Sequence, residues 1–392
     1  MKPRSHVVPR PPRTERAVLV GHAGRDGADL PRSLDELRRL ADTAGARVLG
    51  ELVQRRGGVH APTFLGRGKL AELKELVGAH EADVALFNDD LTPSQVRNLE
   101  KELGAKVVDR SELILDIFAR RARTRESRLQ VELAQLQYQL PRLTGMWKHL
   151  ERQAGGIGTR GPGETQLETD RRFVRERIAR LKHALEGVER ERETQRRRRR
   201  ERFRAALVGY TNAGKSTLFN ALTRAGVFVE DRLFATLDAT TRQMVSPARD
   251  LVLLTDTVGF IRKLPHHLVA SFHSTLAEAV EADLLLHVVD AADPDLQRQM
   301  EAVEGVLEEL LAEPRPTVLV FNKLDRVGDE DAVAGLAARF PDAFLVSART
   351  GAGLDALRGF LFERSAAHAA GPPPAAAARG ARSRPHPPDT PR

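Results

Sequence analysis

The octapeptide Gly209-Tyr-Thr-Asn-Ala-Gly-Lys-Ser216 constrains this chain more than any other stretch. It fits Gly-x-x-x-x-Gly-Lys-Ser, a turn whose backbone N–H groups wrap around phosphate oxygens. Such a turn works between a buried strand and a helix. Both are expected here, because residues 205–208 are apolar and residues 215–222 place Leu218, Phe219 and Leu222 on one side. A helix N-terminus adds positive potential where phosphates would sit. The expected phosphate segment is Gly209, Tyr210, Thr211, Asn212, Ala213, Gly214, Lys215, Ser216 and Thr217. Lys215 would reach the β- and γ-phosphates, and the Ser216 hydroxyl would ligate Mg²⁺.

The surrounding pattern predicts an α/β chain. From residue 203 to about 364, apolar runs at 205–208, 251–254, 284–289, 317–321 and 343–346 alternate with helical stretches. That alternation predicts a mostly parallel sheet flanked by helices. Residues 17–110 repeat it on a smaller scale. Strands are expected at 17–20, 48–52, 84–87 and 106–108, and helices at 33–44, 69–77 and 93–103. Ser33 with Glu36 has the spacing of a capping box. Gly66-Arg-Gly-Lys69 is read as a plain loop before a helix, with an anion site as the lesser reading.

Residues 111–202 are expected to form a helical hairpin. Leu129, Leu133, Leu136, Leu140 and Leu143 step by four and three, as do Val174, Ile178, Leu181, Leu185 and Val188. Two such seams suit antiparallel helices in a short coiled coil. Pro141 predicts a kink or stop in the first helix. The connection, Gly155 to Arg172, carries five glycines between 155 and 163 and cannot pack a core. It is expected to be a loop, either a flexible tip or one that approaches RNA closely. Residues 1–16 and 365–392, rich in proline and arginine, are expected to be disordered.

Composition narrows the function classes. The chain of 392 residues has no cysteine, so disulfides and thiolate metal sites are excluded. Its histidines lack metal-site spacing, so no metal beyond Mg²⁺ is expected. No apolar stretch approaches the ~18 residues a membrane span needs. The net charge is +8, and residues 171–204 alone hold 15 Lys or Arg against 6 Asp or Glu. A concentrated basic stripe points to a polyanion, with RNA foremost.

Three further motifs carry chemistry. Asp256-Thr-Val-Gly259 follows an apolar run. Asp256 would hold Mg²⁺ through water, and the Gly259 N–H would approach the γ-phosphate. Asn322-Lys-Leu-Asp325 follows another run. The Asp325 carboxylate can accept from both N1–H and the 2-amino group of guanine, a pair adenine lacks. Asn322 would fix the loop and reach the base from its other edge. Ser347-Ala-Arg349 would back the base, so Thr257, Val258, Lys323, Leu324, Ala348 and Arg349 complete these segments.

In this order, the four motifs look like those of translation-factor-related GTP-binding domains. With Leu233-Phe-Ala-Thr-Leu-Asp238 and the stretch GGIGTRGPGETQLETDRR, residues 17–363 resemble the HflX family of ribosome-associated GTPases. The resemblance implies that Phe234, Ala235, Thr236, Leu237 and Asp238 form switch I, with Thr236 ligating Mg²⁺. Spacing alone leaves Thr240 and Thr241 as competitors. Hydrolysis would rest on Lys215, Thr236 and Gly259. Phe260 stands where Ras-type enzymes place a water-orienting glutamine, which implies slow turnover that a partner completes. The implied partner is the large ribosomal subunit, split from its mate in the GTP state. Gly155, Gly156, Arg160, Gly161, Gly163, Arg171 and Arg172 would contact its RNA, with Trp147 better read as packing than stacking. A cytoplasmic monomer is expected, with peripheral membrane association left open. The rival readings are an RNA-binding or assembly module with structural nucleotide, and an ATP-dependent remodeller using the loop at 66–69.

Overall fold

A computed structural model describes residues 14–24, 29–55, 57–145, 162–197, 202–223, 226, 230, 232–248, 250–262, 279–311 and 313–370. In the N-terminal part, β1 (Arg16–His22), β2 (Arg47–Gln54), β3 (Val84–Phe87) and β4 (Lys106–Val108) form a parallel sheet in the order β2-β1-β3-β4. Helices cover both faces, which is why these strands read as continuous apolar runs. Ala17 and Leu19 point to one face and pack with Leu34 and Leu37 of α1 (Leu30–Ala44) and Ile114 and Phe118 of α4 (Arg110–Arg121). Val18 and Val20 point to the other, with Leu73 and Val77 of α2 (Arg67–Ala79) and Leu99 of α3 (Pro93–Leu103).

The expected capping box at Ser33 is not present. Helix α1 begins three residues earlier, at Leu30 behind Asp29, with proline in its first turn. Ser33 lies inside the helix, where its hydroxyl donates to Asn88 Oδ1 at 3.1 Å. A capping box forms instead at Thr92 and Gln95, opening α3. The stretch 66–69, expected as a loop, is the N-cap and first turn of α2, and its contacts are local. Gly66 N–H goes to Gln54 Oε1 at 3.0 Å and Lys69 Nζ to Glu72 at 2.7 Å.

Helix α5 (Arg125–Gln139) stops where Pro141 forbids its continuation, and a 3₁₀ turn (Leu140–Gly145) follows. Helix α6 (Pro162–Arg197) spans 36 residues, about 54 Å at 1.5 Å per residue. Val174, Ile178, Leu181, Leu185 and Val188 are less exposed than Phe173, Arg175, Glu176 and Arg180 around them. Arg177 clamps the two helices through Glu132 at 2.7 and 3.0 Å. The expected loop is shorter than Gly155–Arg172. Pro162, well suited to a first helical turn, starts α6, so Gly163, Arg171 and Arg172 are helical. Trp147, Gly155, Gly156, Arg160 and Gly161 lie outside the described residues.

The second sheet runs β10-β9-β8-β5-β7-β6, parallel throughout except β6–β7. It comprises β5 (Phe203–Gly209), β6 (Thr240–Val245), β7 (Leu251–Asp256), β8 (Leu284–Asp290), β9 (Thr317–Asn322) and β10 (Phe344–Leu345). Helices α7 (Lys215–Thr223), α8 (Leu296–Leu310), α9 (Glu330–Arg339) and α10 (Leu354–Ala369) belong to this domain. Helix α10 runs five residues past the boundary expected at 364, and Ser365 Oγ donates to Leu251 O at 3.0 Å. The face of the first sheet that carries Ala17 shares one apolar cluster with Val208, Tyr210, Phe234, Phe260 and Val303. The two α/β parts therefore meet at the phosphate turn.

Candidate nucleotide-binding site

Strand β5 ends in Gly209 at φ +151°, where an added Cβ would lie 2.2 Å from Val288 O. Gly214, at φ +89°, would place a Cβ 2.4 Å from Asn322 Nδ2. Both positions admit only glycine. The turn between them delivers the chain into α7 and leaves a cavity lined by Thr211, Asn212, Gly214, Lys215, Ser216, Thr217, Glu230, Arg232, Phe234, Ala235, Thr236, Thr257 and Gly259. Lys215 is buried, with its ammonium on Gly209 O (3.1 Å) and Tyr210 O (2.9 Å). Burial lowers its pKa to about 8, against the nearby Asp256 charge, which raises it.

Three oxygen donors converge at one wall of the cavity. Ser216 Oγ lies 2.7 Å from Thr236 Oγ1 and donates to Asp256 Oδ2 at 2.6 Å. Thr236 Oγ1 donates to the same oxygen at 3.4 Å. Burial pushes the Asp256 carboxyl pKa upward, against its hydrogen bond from Ser216. Its Oδ1 is buried without a hydrogen-bond partner. A desolvated carboxylate oxygen beside two hydroxyls is a donor set that suits a hard divalent cation. Thr240 and Thr241, the competitors by spacing, lie in β6, and the Thr241 hydroxyl pairs with that of Thr255 at 2.9 Å.

The Asp256–Phe260 segment, expected to serve as switch II, is knitted to the turn after β5. Phe260 N–H donates to Gly209 O at 3.1 Å, and Thr211 N–H donates to Phe260 O at 2.6 Å. The Phe260 ring is buried in the shared apolar cluster. A Cβ on Gly259 would meet Thr211 Cα at 2.7 Å and Lys215 Nζ at 3.1 Å. Thr257 donates its hydroxyl to Leu207 O at 2.6 Å, and Val258 is buried.

At the base end, Asn322 Nδ2 donates to Ala213 O at 3.0 Å, while its Oδ1 accepts from Ala348 N–H at 2.9 Å. This one side chain thus locks the phosphate turn to the 347–349 loop, and its polar atoms are spent there. Lys323, at φ +65°, donates to Asn212 O (2.7 Å) and Asp290 Oδ2 (2.6 Å). Leu324 N–H donates to Val346 O at 3.3 Å. Asp325 Oδ1 accepts from Ser347 Oγ at 2.6 Å, and Arg349 lies 3.8 Å from Oδ2. The Ser347 hydrogen bond holds the Asp325 pKa below the usual carboxylate range.

Several expected residues face elsewhere. The Tyr210 hydroxyl donates to Glu36 of α1 and accepts from Arg262 N–H at 3.0 Å. Leu237 is buried in the shared cluster, and Ala213 is buried against the sheet core. The Asp238 carboxylate is turned toward α5. Glu230, Arg232 and Asp290 were not anticipated. Asp290 could have been suspected as an acidic residue ending an apolar strand; Glu230 and Arg232 carry no local signal.

Comparison with known proteins agrees with this architecture. Family models described as GTP-binding GTPase N-terminal, GTP-binding GTPase Middle Region and 50S ribosome-binding GTPase match residues 31–119, 121–199 and 204–323. The protein is 54% identical to the GTPase HflX of Caldanaerobacter subterraneus subsp. tengcongensis over 79% of this chain and 73% of that one. The Escherichia coli GTPase HflX is 49% identical over 89% of this chain and 83% of its own. A crystal structure of the SsGBP and GDP complex shares the fold, with a TM-score of 0.50, 24% identity and coverage of 91% of this chain and 100% of that chain. The chain belongs to the HflX family of GTPases.

Proposed function

We propose that this GTPase binds GTP with Mg²⁺, grips the large ribosomal subunit in that state, and releases it after hydrolysis, dissociating or remodelling ribosomes in the cycle. The observation that carries the reading is the meeting of Thr236 with Ser216 and Asp256. A switch threonine poised beside the phosphate turn is what a γ-phosphate-sensing loop requires. Ser216 and Thr236 would hold Mg²⁺ directly and Asp256 through water. Bound there, the ion would neutralise phosphate charge. Lys215 would draw charge from the β- and γ-phosphates, and the Gly259 N–H would approach the γ-phosphate. Asp325 would select guanine. Hydrolysis transfers the γ-phosphoryl group from the β,γ-bridging oxygen to water. Phe260 offers no hydrogen bond to orient that water, so the chain lacks this part of a Ras-type apparatus.

The basic flank of α6 supports an RNA partner, since Arg171 and Arg172 sit on a helix otherwise rich in arginine. Turnover is expected to be slow alone and to rise on the order of 10³-fold or more with ribosomes. Sedimentation with a non-hydrolysable GTP analogue should yield separated subunits, and GDP should not. Equal turnover with and without ribosomes, and intact ribosomes in both nucleotide states, would favour a nucleotide-stabilised RNA-binding module instead.

Lys215 supplies a second test. Without nucleotide, burial lowers its pKa from the ordinary 10.5 to about 8, so a neutral fraction appears as the pH rises toward 8. Triphosphate oxygens favour the cation and push this pKa back up. Binding near pH 8 should therefore take up a fraction of a proton at Lys215, and that contribution should shrink as the pH falls below this pKa. Titration calorimetry in buffers of different ionisation enthalpy reads this directly. Lys215→Met should abolish the uptake; an unchanged value would place the proton elsewhere.

A further inference from the structure

Three side chains of the loop that carries Thr236 reach beyond the nucleotide domain, to α4 and to the start of α5. Their contacts bracket Thr236. Glu230 pairs with Arg121 of α4 at 2.6 Å. The Phe234 ring meets Phe118 of α4 edge-on, with centroids 4.7 Å apart and planes at 82°. Asp238 accepts from Thr124 Oγ1 at 2.6 Å through Oδ1, and from the N–H groups of Arg123 (3.1 Å) and Thr124 (3.3 Å) through Oδ2. Thr124 is itself the N-cap of α5, accepting from Ser127 N–H at 3.1 Å. A carboxylate at this point also meets the positive end of the helix.

We propose that Asp238 is a positioning residue for the GTPase reaction, tying switch I to the start of α5 so that Thr236 reaches Ser216 only while the hairpin is docked on the loop. The proposal rests on the reading of Thr236 as the Mg²⁺- and γ-phosphate-sensing group. It goes further in naming how the hairpin and the nucleotide share one equilibrium. Phe234 and Glu230 hold the loop upstream of Thr236, and Asp238 holds it downstream. Loss of the downstream tether frees Thr236 without touching the phosphate turn. Because coupling is reciprocal, a ligand that displaces α5 loosens the triphosphate, and the triphosphate fixes α5.

The test compares affinities for GDP and for a non-hydrolysable GTP analogue with Mg²⁺ in the full chain. GDP has no γ-phosphate for Thr236 to sense, so it serves as the internal control. Asp238→Asn is expected to weaken the analogue roughly tenfold and GDP less than twofold. Thr124→Val, on the other side of the contact, should do the same, and Thr124→Ser should restore wild-type behaviour. The double variant Asp238→Asn/Thr124→Val should be no worse than either single one. Equal losses for GDP and analogue, no loss for either, or additive losses in the double variant would overturn the proposal. Thr236→Ala separates the two layers. If it too fails to discriminate analogue from GDP, the Thr236 reading falls; if it discriminates and Asp238→Asn does not, only the tether falls.

Discussion

Replacing Asp325 by asparagine is expected to lower GTP affinity about 10⁴-fold, because the polar match to the guanine edge is broken. Asp325 Oδ1 is held by the Ser347 hydroxyl at 2.6 Å. An asparagine keeps that contact by placing its own oxygen there, which leaves its amide NH₂ where Oδ2 stood. Guanine would then meet a donor with its own 2-amino donor. Xanthine carries a carbonyl at that carbon, so it pairs with the new amide. The expected outcome is a reversal of preference, with xanthosine triphosphate bound more tightly than GTP by Asp325→Asn and less tightly by the natural protein. Equilibrium competition against a fluorescent guanine nucleotide reads both constants. An unchanged GTP affinity would show that Asp325 does not face the base. Ser347→Ala should act in the same direction but more weakly, since it loosens the carboxylate without changing its chemistry.

The parts of this molecule legible in its sequence are those governed by local pattern. Strands β3 and β4 and helix α3 begin and end where the apolar runs and Pro93 predict. Both faces of that sheet are covered, so no alternation confuses the reading. Strand β6 went unseen for the opposite reason. Thr240-Thr-Arg-Gln-Met-Val245 is an edge strand with exposed Gln243 and Val245, and it reads as loop. Helix α1 begins earlier than expected because Pro31 in its first turn outweighed Ser33 as the start signal. At the site, motif spacing picked out segments that the fold brings to one cavity wall and its neighbouring loops. It did not show where each side chain points. The destinations of Tyr210, Asp238 and Lys323 depend on Glu36, Thr124 and Asp290, partners 174, 114 and 33 residues away. No local rule carries such information.

The buried cluster between the two α/β parts was the least legible feature, and it gives the largest expected change in stability. Arg110 is 2% exposed. It pairs with the Glu36 carboxylate, donates to Asn88 Oδ1 at 3.1 Å and donates to Arg262 O at 3.0 Å. Glu36 also accepts from the Tyr210 hydroxyl, whose pKa is raised by burial and by that carboxylate. Arg110→Met would remove the buried cation and leave the partly buried Glu36 carboxylate without it, at a cost of about 3–5 kcal/mol. With ordinary urea sensitivity this is a fall of roughly 1–2 M in the unfolding midpoint. Glu36→Leu alone should also be costly, because it leaves the guanidinium uncompensated. The pair Arg110→Met/Glu36→Leu should recover most of the loss, since an apolar pair of similar volume carries no desolvation penalty. Additive losses in the double variant would mean that the two charges act independently. Recovery of stability together with altered nucleotide affinity would mean that the cluster also sets the phosphate turn through Tyr210 and switch II through Arg262, both of which it touches directly.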